Sequence, residues 1–173
     1  MVNLMNPRVE FDLQVFRNNI ERLKSLTKKI TFLFPVKCCN NVDVLDILYN
    51  YQFGFDISNK AELKIIERYL DGRFISVSGP LSYELENYDY SNIHIVANNL
   101  NSYGEGKGLR INFNSKSEFE FSRFGVDVEY ISNEIKKNVE YIHFHNSDYR
   151  NIDKCNNILK SIGNILLEFP KLK

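Results

Sequence analysis

Residues 30–37 have the sequence ITFLFPVK, a short apolar run that closes with a lysine. Its length and continuous apolar character are typical of a β-strand buried on both faces of a parallel sheet. Amphipathic helices are predicted on either side of it. The first spans residues 12–26 with Asp12 as its N-cap, and the second is capped by Asn40 or Asn41. The stretch therefore predicts the helix–strand–helix order of an α/β protein.

The same alternation of short apolar strands and amphipathic helices continues along the chain. Further strands are predicted at residues 55–58, 74–78, 93–97, 109–113 and 141–145. Helices are predicted at residues 59–70, weakly at 81–87, around 128–135, and as one helix over 152–169 despite a glycine within it. This order predicts parallel β/α units. Six such strands suit either an open doubly wound sheet or most of a (β/α)8 barrel.

Composition narrows the classes of function. The 173 residues suit one domain, and 22 basic residues balance 22 acidic ones. Without a basic excess, nucleic acid and anionic membrane surfaces are disfavoured as partners. We find no apolar run long enough for a transmembrane helix and no secretory signal. Three cysteines, two of them adjacent, form neither a disulfide framework nor a zinc motif. We expect a soluble, cytoplasmic protein without a metal site.

Polar residues follow or end each predicted strand, where the active sites of parallel β/α folds lie. They are Lys37, Asp56, Ser58, Ser78, Asn98, Asn99, Arg110, Asn112, His143, His145 and Ser147. Such a ring suits an anionic cofactor or substrate. Lys37 is its most informative member, because burial at the end of an apolar strand would favour the neutral amine that Schiff-base chemistry needs. The alternative is that Lys37 extends to solvent from the strand end.

The sequence FPVKCCNN at residues 34–41 resembles the cofactor-lysine motif of a known family. This family is the fold-type III pyridoxal-phosphate-dependent decarboxylases, which act on ornithine, diaminopimelate, arginine or carboxynorspermidine. Other segments resemble the family in the correct order, and they are RNNI (17–20), GFDIS (54–58), AEL (61–63), SGP (78–80), LRIN (109–112), SRFGVD (122–127) and IHFH (142–145). The resemblance implies an alanine-racemase-like (β/α)8 barrel, of which about six parallel strands are present here.

The resemblance also implies chemistry. Lys37 would hold pyridoxal 5'-phosphate as an aldimine, and His145 would lie flat on the pyridine ring, which acts as an electron sink. The other implied cofactor contacts are Asp56, Glu62, Arg123 and Ser147. The implied function is decarboxylation of a basic or diamino amino acid. The family works as a head-to-tail dimer, so a homodimer or a complementary C-terminal chain is the expected partner.

Several of these residues have plainer alternatives. Glu62 lies three residues after Asn59 and could be a helix-capping partner. Asp56 could cap the following helix, and Arg123 could pair with a nearby glutamate. We expect His143 to face away from the stacking histidine and to be structural.

The sequence also departs from the family. HNSD at residues 145–148 replaces the usual His-x-Gly-Ser turn, and no glycine-rich phosphate turn follows. We therefore expect residues 1–173 to be the N-terminal part of the cofactor-binding barrel, without its last strands or the C-terminal β-domain. Two alternatives remain open: a non-catalytic, decarboxylase-like binding or regulatory partner, and a racemase-like or cofactor-carrier protein.

Overall fold

The chain folds around one parallel sheet covered by helices. The computed structural model describes residues 10–85, 88, 91–104, 108–112, 124–145 and 152–173. Its strands are β1 (Leu33–Pro35), β2 (Gly54–Ile57), β3 (Ile75–Val77), β4 (Ile93–Ala97), β5 (Gly108–Asn112), β6 (Val126–Asp127) and β7 (Ile142–Phe144). They pair in the order β1-β2-β3-β4-β5-β6, β7 also pairs with β5, and every pair is parallel. The predicted α/β class is confirmed, and the arrangement is that of part of a (β/α)8 barrel.

Side-chain caps begin the first four α-helices, as the sequence predicts for α1. The helices are α1 (Leu13–Leu26), α2 (Val42–Asn50), α3 (Lys60–Ile66), α4 (Asn133–Lys136) and α5 (Ile152–Leu166). Asp12 accepts hydrogen bonds from two backbone N–H groups of α1, and Asn41, rather than Asn40, does the same for α2. Among the described residues, no helix combines the length and the apolar character needed to cross a bilayer.

Two apolar clusters lie between the sheet and its helices. The first joins β2 and β3 to α2 and α3 through side chains such as Phe55, Ile75, Leu45 and Ile66, all fully buried. The second cluster packs against β5 and β7. It includes Leu109 of β5 and residues that follow α4 and α5, such as Val139 and Phe169. Burial of each such side chain stabilises the fold by about 1.5–3 kcal/mol.

The strand that carries the lysine motif differs from its prediction. It is shorter than the apolar run, and its three residues are half-buried instead of buried on both faces. In the described part of the chain β1 pairs with β2 alone, so its other edge is uncovered. After Pro35 the chain turns into a 3-10 helix at Val36–Cys38, which places Lys37 beyond the strand end.

The region after β5 also differs from its prediction. The helix expected around residues 128–135 is a 3-10 turn, Val128–Tyr130, followed by the single-turn helix α4. Ser132 separates them because its side chain accepts the Ile135 N–H and starts a new helix. The short strand β6 was not predicted. In contrast, α5 is one helix that contains Gly163, as predicted.

Candidate active site

Alternation along the strands gives the sheet a helix-covered outer face and an inner face with polar side chains. On β2, Phe55 and Ile57 are buried in the first apolar cluster, so Asp56 between them points to the inner face. Ser76 is the register partner of Asp56 on the neighbouring strand. The strands are parallel, so the polar side chains at their carboxyl ends gather at one edge of the sheet.

Lys37 lies at this edge, directly after β1. Buried Val36 anchors the 3-10 turn, while the Lys37 residue itself is exposed. The desolvation expected for its amine is therefore not observed in this structure. Its charge nevertheless acts on two inner-face groups, Asp56 and His143. The predicted position of the lysine is confirmed, although the surroundings are more open than expected.

Asp56 is the most perturbed carboxylate of the site. Burial raises its pKa above the ordinary value, and the nearby Glu62 charge adds to this. Hydrogen bonds from Ser76 and Ser78 and the charge of Lys37 act in the opposite direction. The Ser78 hydroxyl donates to Asp56 Oδ1 at 3.0 Å. Asp56 thus faces Lys37 and does not cap α3, since Asn59 fills that position.

Glu62 is held by the start of α3. Its Oε2 accepts the Ser58 N–H at 2.8 Å, and its Oε1 accepts from Asn59 Nδ2 at 3.2 Å. In return, the Glu62 N–H donates to Asn59 Oδ1 at 2.9 Å. These contacts are those of a capping partner. A role for Glu62 in the cofactor pocket stays a prediction.

His143 in β7 and His145 directly after this strand lie close together, contrary to expectation. Their rings are nearly parallel, at 9°, with centroids 6.5 Å apart. The prediction that His143 faces away from His145 is wrong, because residues two apart in a strand point to the same face. Burial lowers the pKa of His143 to about 4, and the charges of Arg110, His145 and Lys37 add to the effect.

Arg110 is a site residue whose role the sequence did not show. It is the register partner of His143, and its guanidinium carbon lies 4.9 Å from the centre of the Phe124 ring. Burial lowers its pKa, and the charge of Asp56 opposes that shift. Arg110 therefore links the Asp56 and His143 sides of the inner face. Of the other predicted contacts, Arg123 and Ser147 lie outside the described residues.

A cleft of about 650 Å³ lies at the opposite, amino-terminal edge of the sheet. It is bordered by the end of α1 and by the residues that precede β1 and β2, and Lys24 and Tyr51 are among them. None of the described residues that line this cleft is a predicted site residue. The titratable groups with shifted pKa values, Asp56, Arg110 and His143, lie at the carboxyl-terminal edge and favour that edge as the site.

Comparison with known proteins shows what the chain is similar to. Residues 13–78 match the family described as "Pyridoxal-dependent decarboxylase, pyridoxal binding domain". The matched segment runs from α1 to the residue after β3, and this part of the chain is similar to the pyridoxal-binding domain. Lys37, Asp56 and Glu62 lie within the segment, while Arg110 and the two β7 histidines lie beyond it. The predicted resemblance is confirmed, and pyridoxal phosphate is the cofactor that the decarboxylase match indicates.

Two solved decarboxylase structures share the fold. A biosynthetic arginine decarboxylase from Campylobacter jejuni superposes with a TM-score of 0.67 at 22% identity, covering 92% of this chain and 35% of that chain. A diaminopimelate decarboxylase from Helicobacter pylori, complexed with L-lysine, superposes with a TM-score of 0.61 at 16% identity, covering 91% and 50%. The chain thus spans half or less of each of these proteins. No curated protein sequence is significantly similar to it.

Proposed function

We propose that this chain binds pyridoxal phosphate through Lys37 as the N-terminal part of a barrel that decarboxylates an amino acid. The observation that carries the proposal is the meeting of Lys37, Asp56 and His143 at one sheet edge, with Lys37 and Asp56 inside the matched pyridoxal-binding segment. An amine, a carboxylate and an imidazole ring together suit a flat aldehyde cofactor.

The residues present fit such a cofactor. The Lys37 amine would hold its aldehyde carbon, and the exposed His145 ring would lie against its flat face. Lys37 and Arg110 supply positive charge toward an anionic ligand, and Asp56 is an acid beside the amine. When bound, pyridoxal phosphate supplies the electron sink that decarboxylation needs. Asp56 is held by the Ser78 hydroxyl, and burial raises its pKa above the ordinary value.

The substrate class proposed is a basic or diamino amino acid. The support is indirect, since the two similar structures are an arginine decarboxylase and a diaminopimelate decarboxylase. Release of carbon dioxide from arginine, ornithine, diaminopimelate and carboxynorspermidine, each offered separately, would test the proposal. An equal rate with alanine would contradict the basic or diamino class.

The cofactor proposal is tested directly by spectroscopy. The purified chain mixed with pyridoxal phosphate is expected to gain an absorption band near the visible edge. Borohydride reduction should then fix the cofactor to Lys37, as mass spectrometry of the peptide would show. Lys37→Arg should abolish both signals, while Lys29→Arg, an exposed lysine ahead of β1, should leave them intact. A band that survives Lys37→Arg would refute the assignment.

We also propose that the chain associates with a second copy or a complementary C-terminal chain. In the described part of the sheet, β1 pairs with β2 alone, and β6 and β7 each pair with β5 alone, which leaves strand edges uncovered at both ends of the sheet. Uncovered edges favour association. Sedimentation over a concentration series should show a species larger than the monomer. A compact monomer at every concentration would contradict self-association.

A further inference from the structure

His143 occupies the inner face of β7, and the proposed function gives it no contact with the cofactor. Its neighbours Ile142 and Phe144 pack into the second apolar cluster, so His143 points the other way, beside the cofactor edge. It is half-buried, whereas His145 is exposed. The ring of His143 therefore lies closer to the sheet than the ring of His145, which would contact the cofactor.

Charged groups surround His143 from three elements. Arg110 faces it from β5, His145 from the end of β7, and Lys37 from the turn after β1. The charge of Asp56 on β2 interacts with the charges of both Lys37 and Arg110, so this acid is engaged with the two cations. A charged imidazole here would add a further cation to this group. Burial and these cations keep the pKa of His143 near 4, and the ring is neutral at ordinary pH.

The geometry points to a positioning role. The two imidazole planes are within 9° of parallel, and 6.5 Å between centroids is the distance that two residues along a strand provide. His145 is exposed directly after the end of β7. We propose that His143 is a positioning residue, whose neutral ring holds the plane of His145 and leaves Asp56 to balance Lys37 and Arg110. The inference rests on the proposed function, because the His145 ring matters there as the cofactor contact.

The test compares two substitutions in the full chain. His143→Ala removes the ring, whereas His143→Phe keeps a flat, neutral ring of similar size. The matched control is His94→Phe, since His94 is an inner-face histidine that stacks on Phe74 instead. The chain has three histidines, so their ring resonances can be assigned by NMR. The His145 resonance should shift in His143→Ala, return toward its original position in His143→Phe, and stay unchanged in the control.

Cofactor affinity gives a second readout. His143→Ala should raise the dissociation constant for pyridoxal phosphate about three- to tenfold, while His143→Phe should stay near the parent value. The parent protein should also lose affinity on acidification toward the pKa of His143, by a component that His143→Phe lacks. A merely structural histidine would not produce that difference between pH profiles. His143→Leu replaces His143→Ala if the latter fails to fold.

The results separate this inference from the proposed function. If the parent chain binds no pyridoxal phosphate, the proposed function fails, and the His145 resonance of the unliganded protein decides the role of His143. An unchanged His145 signal and an unchanged affinity in His143→Ala would overturn the inference. Equal impairment of the Ala and Phe variants would overturn it as well, because a flat neutral ring would then not be the property that matters.

Discussion

Burial disfavours the charged form of Asp56, and this makes the free energy of unfolding depend on pH. Its pKa in the folded chain lies above the ordinary value of 3.8, so the folded state holds the proton more tightly than the unfolded state. The stabilisation from that proton is complete below the unfolded pKa and is lost as the pH rises through the folded pKa. At neutral pH the ionised Asp56 therefore lowers the free energy of unfolding.

Asp56→Asn removes this titration, and Asn can still accept the Ser78 hydrogen bond through Oδ1. We expect the Tm of Asp56→Asn, relative to the parent chain, to be higher at about pH 7 than at about pH 4. Thermal unfolding followed by circular dichroism at both pH values measures this. Asp71→Asn, an exposed aspartate in a turn, is the control and should show no such trend. A pH-independent difference for Asp56→Asn would contradict the prediction.

Individual site residues differ in how well the sequence predicts them. Lys37 and Asp56 lie at the expected edge, because strand ends are easy to locate from apolar runs. How exposed Lys37 is depends on which part of the protein covers β1. A local sequence pattern does not contain that information. His143 was misassigned even though its spacing from His145 predicts a shared face. The role of Arg110 depends on the register of β5 with β7, a pairing between distant segments.

At the scale of single elements, substitution of glycine by alanine is expected to have opposite effects on stability at Gly54 and at Gly163. A Cβ on Gly54 in β2 would meet the Phe74 carbonyl oxygen and a Leu33 methyl group, so Gly54→Ala should destabilise by about 1–3 kcal/mol or more. Gly163 in α5 has nothing within 4 Å of that position, so Gly163→Ala should stabilise by about 0.5–1 kcal/mol. Urea unfolding of both variants gives the comparison. Effects of the same sign would show that the packing around β2 is looser than described.

The start of α2 gives a second element-scale prediction. Asn41 Oδ1 accepts the N–H groups of Asp43 at 2.9 Å and Val44 at 3.3 Å. Asn41→Ala should cost about 1 kcal/mol of unfolding free energy. Asn40→Ala is the matched control, because Asn40 is exposed and is not the cap. If both variants lost the same stability, the cap assignment would be wrong.

Elements with strong local signals were the most predictable. Strand β4 was predicted with its observed bounds, and the single helix α5 was predicted despite its glycine. The region after β5 was not, because Val128, Ile131 and Ile135 have helical spacing while Ser132 interrupts the helix with a side-chain cap. Strand β6 has only two residues, and its existence depends on pairing with β5. Propensity cannot reveal such a pairing.

At the scale of the whole molecule, the two apolar clusters divide the structure unequally. The first cluster packs β1, β2 and β3 against three helices and contains most of the fully buried large side chains. The second packs β5, β6 and β7 against α4, α5 and short turns, and none of the described side chains of α5 is fully buried. The segment that matches the decarboxylase family ends with β3, so it coincides with the better-packed part. The part of the site that contains Lys37 thus lies on a better-packed part of the fold than the part that contains His143 and His145.

This difference predicts a gradient of local stability. Amides of β2 and β3 should exchange with solvent only on global unfolding, whereas those of β7 and α5 should exchange through smaller openings. Hydrogen exchange followed by mass spectrometry would resolve the two groups of peptides. Saturating pyridoxal phosphate should then slow exchange in β7 more than in β2, because a ligand held from Lys37 to His145 would join the two halves. Equal protection of β7 and β2 without the cofactor would show that the second cluster is as stable as the first.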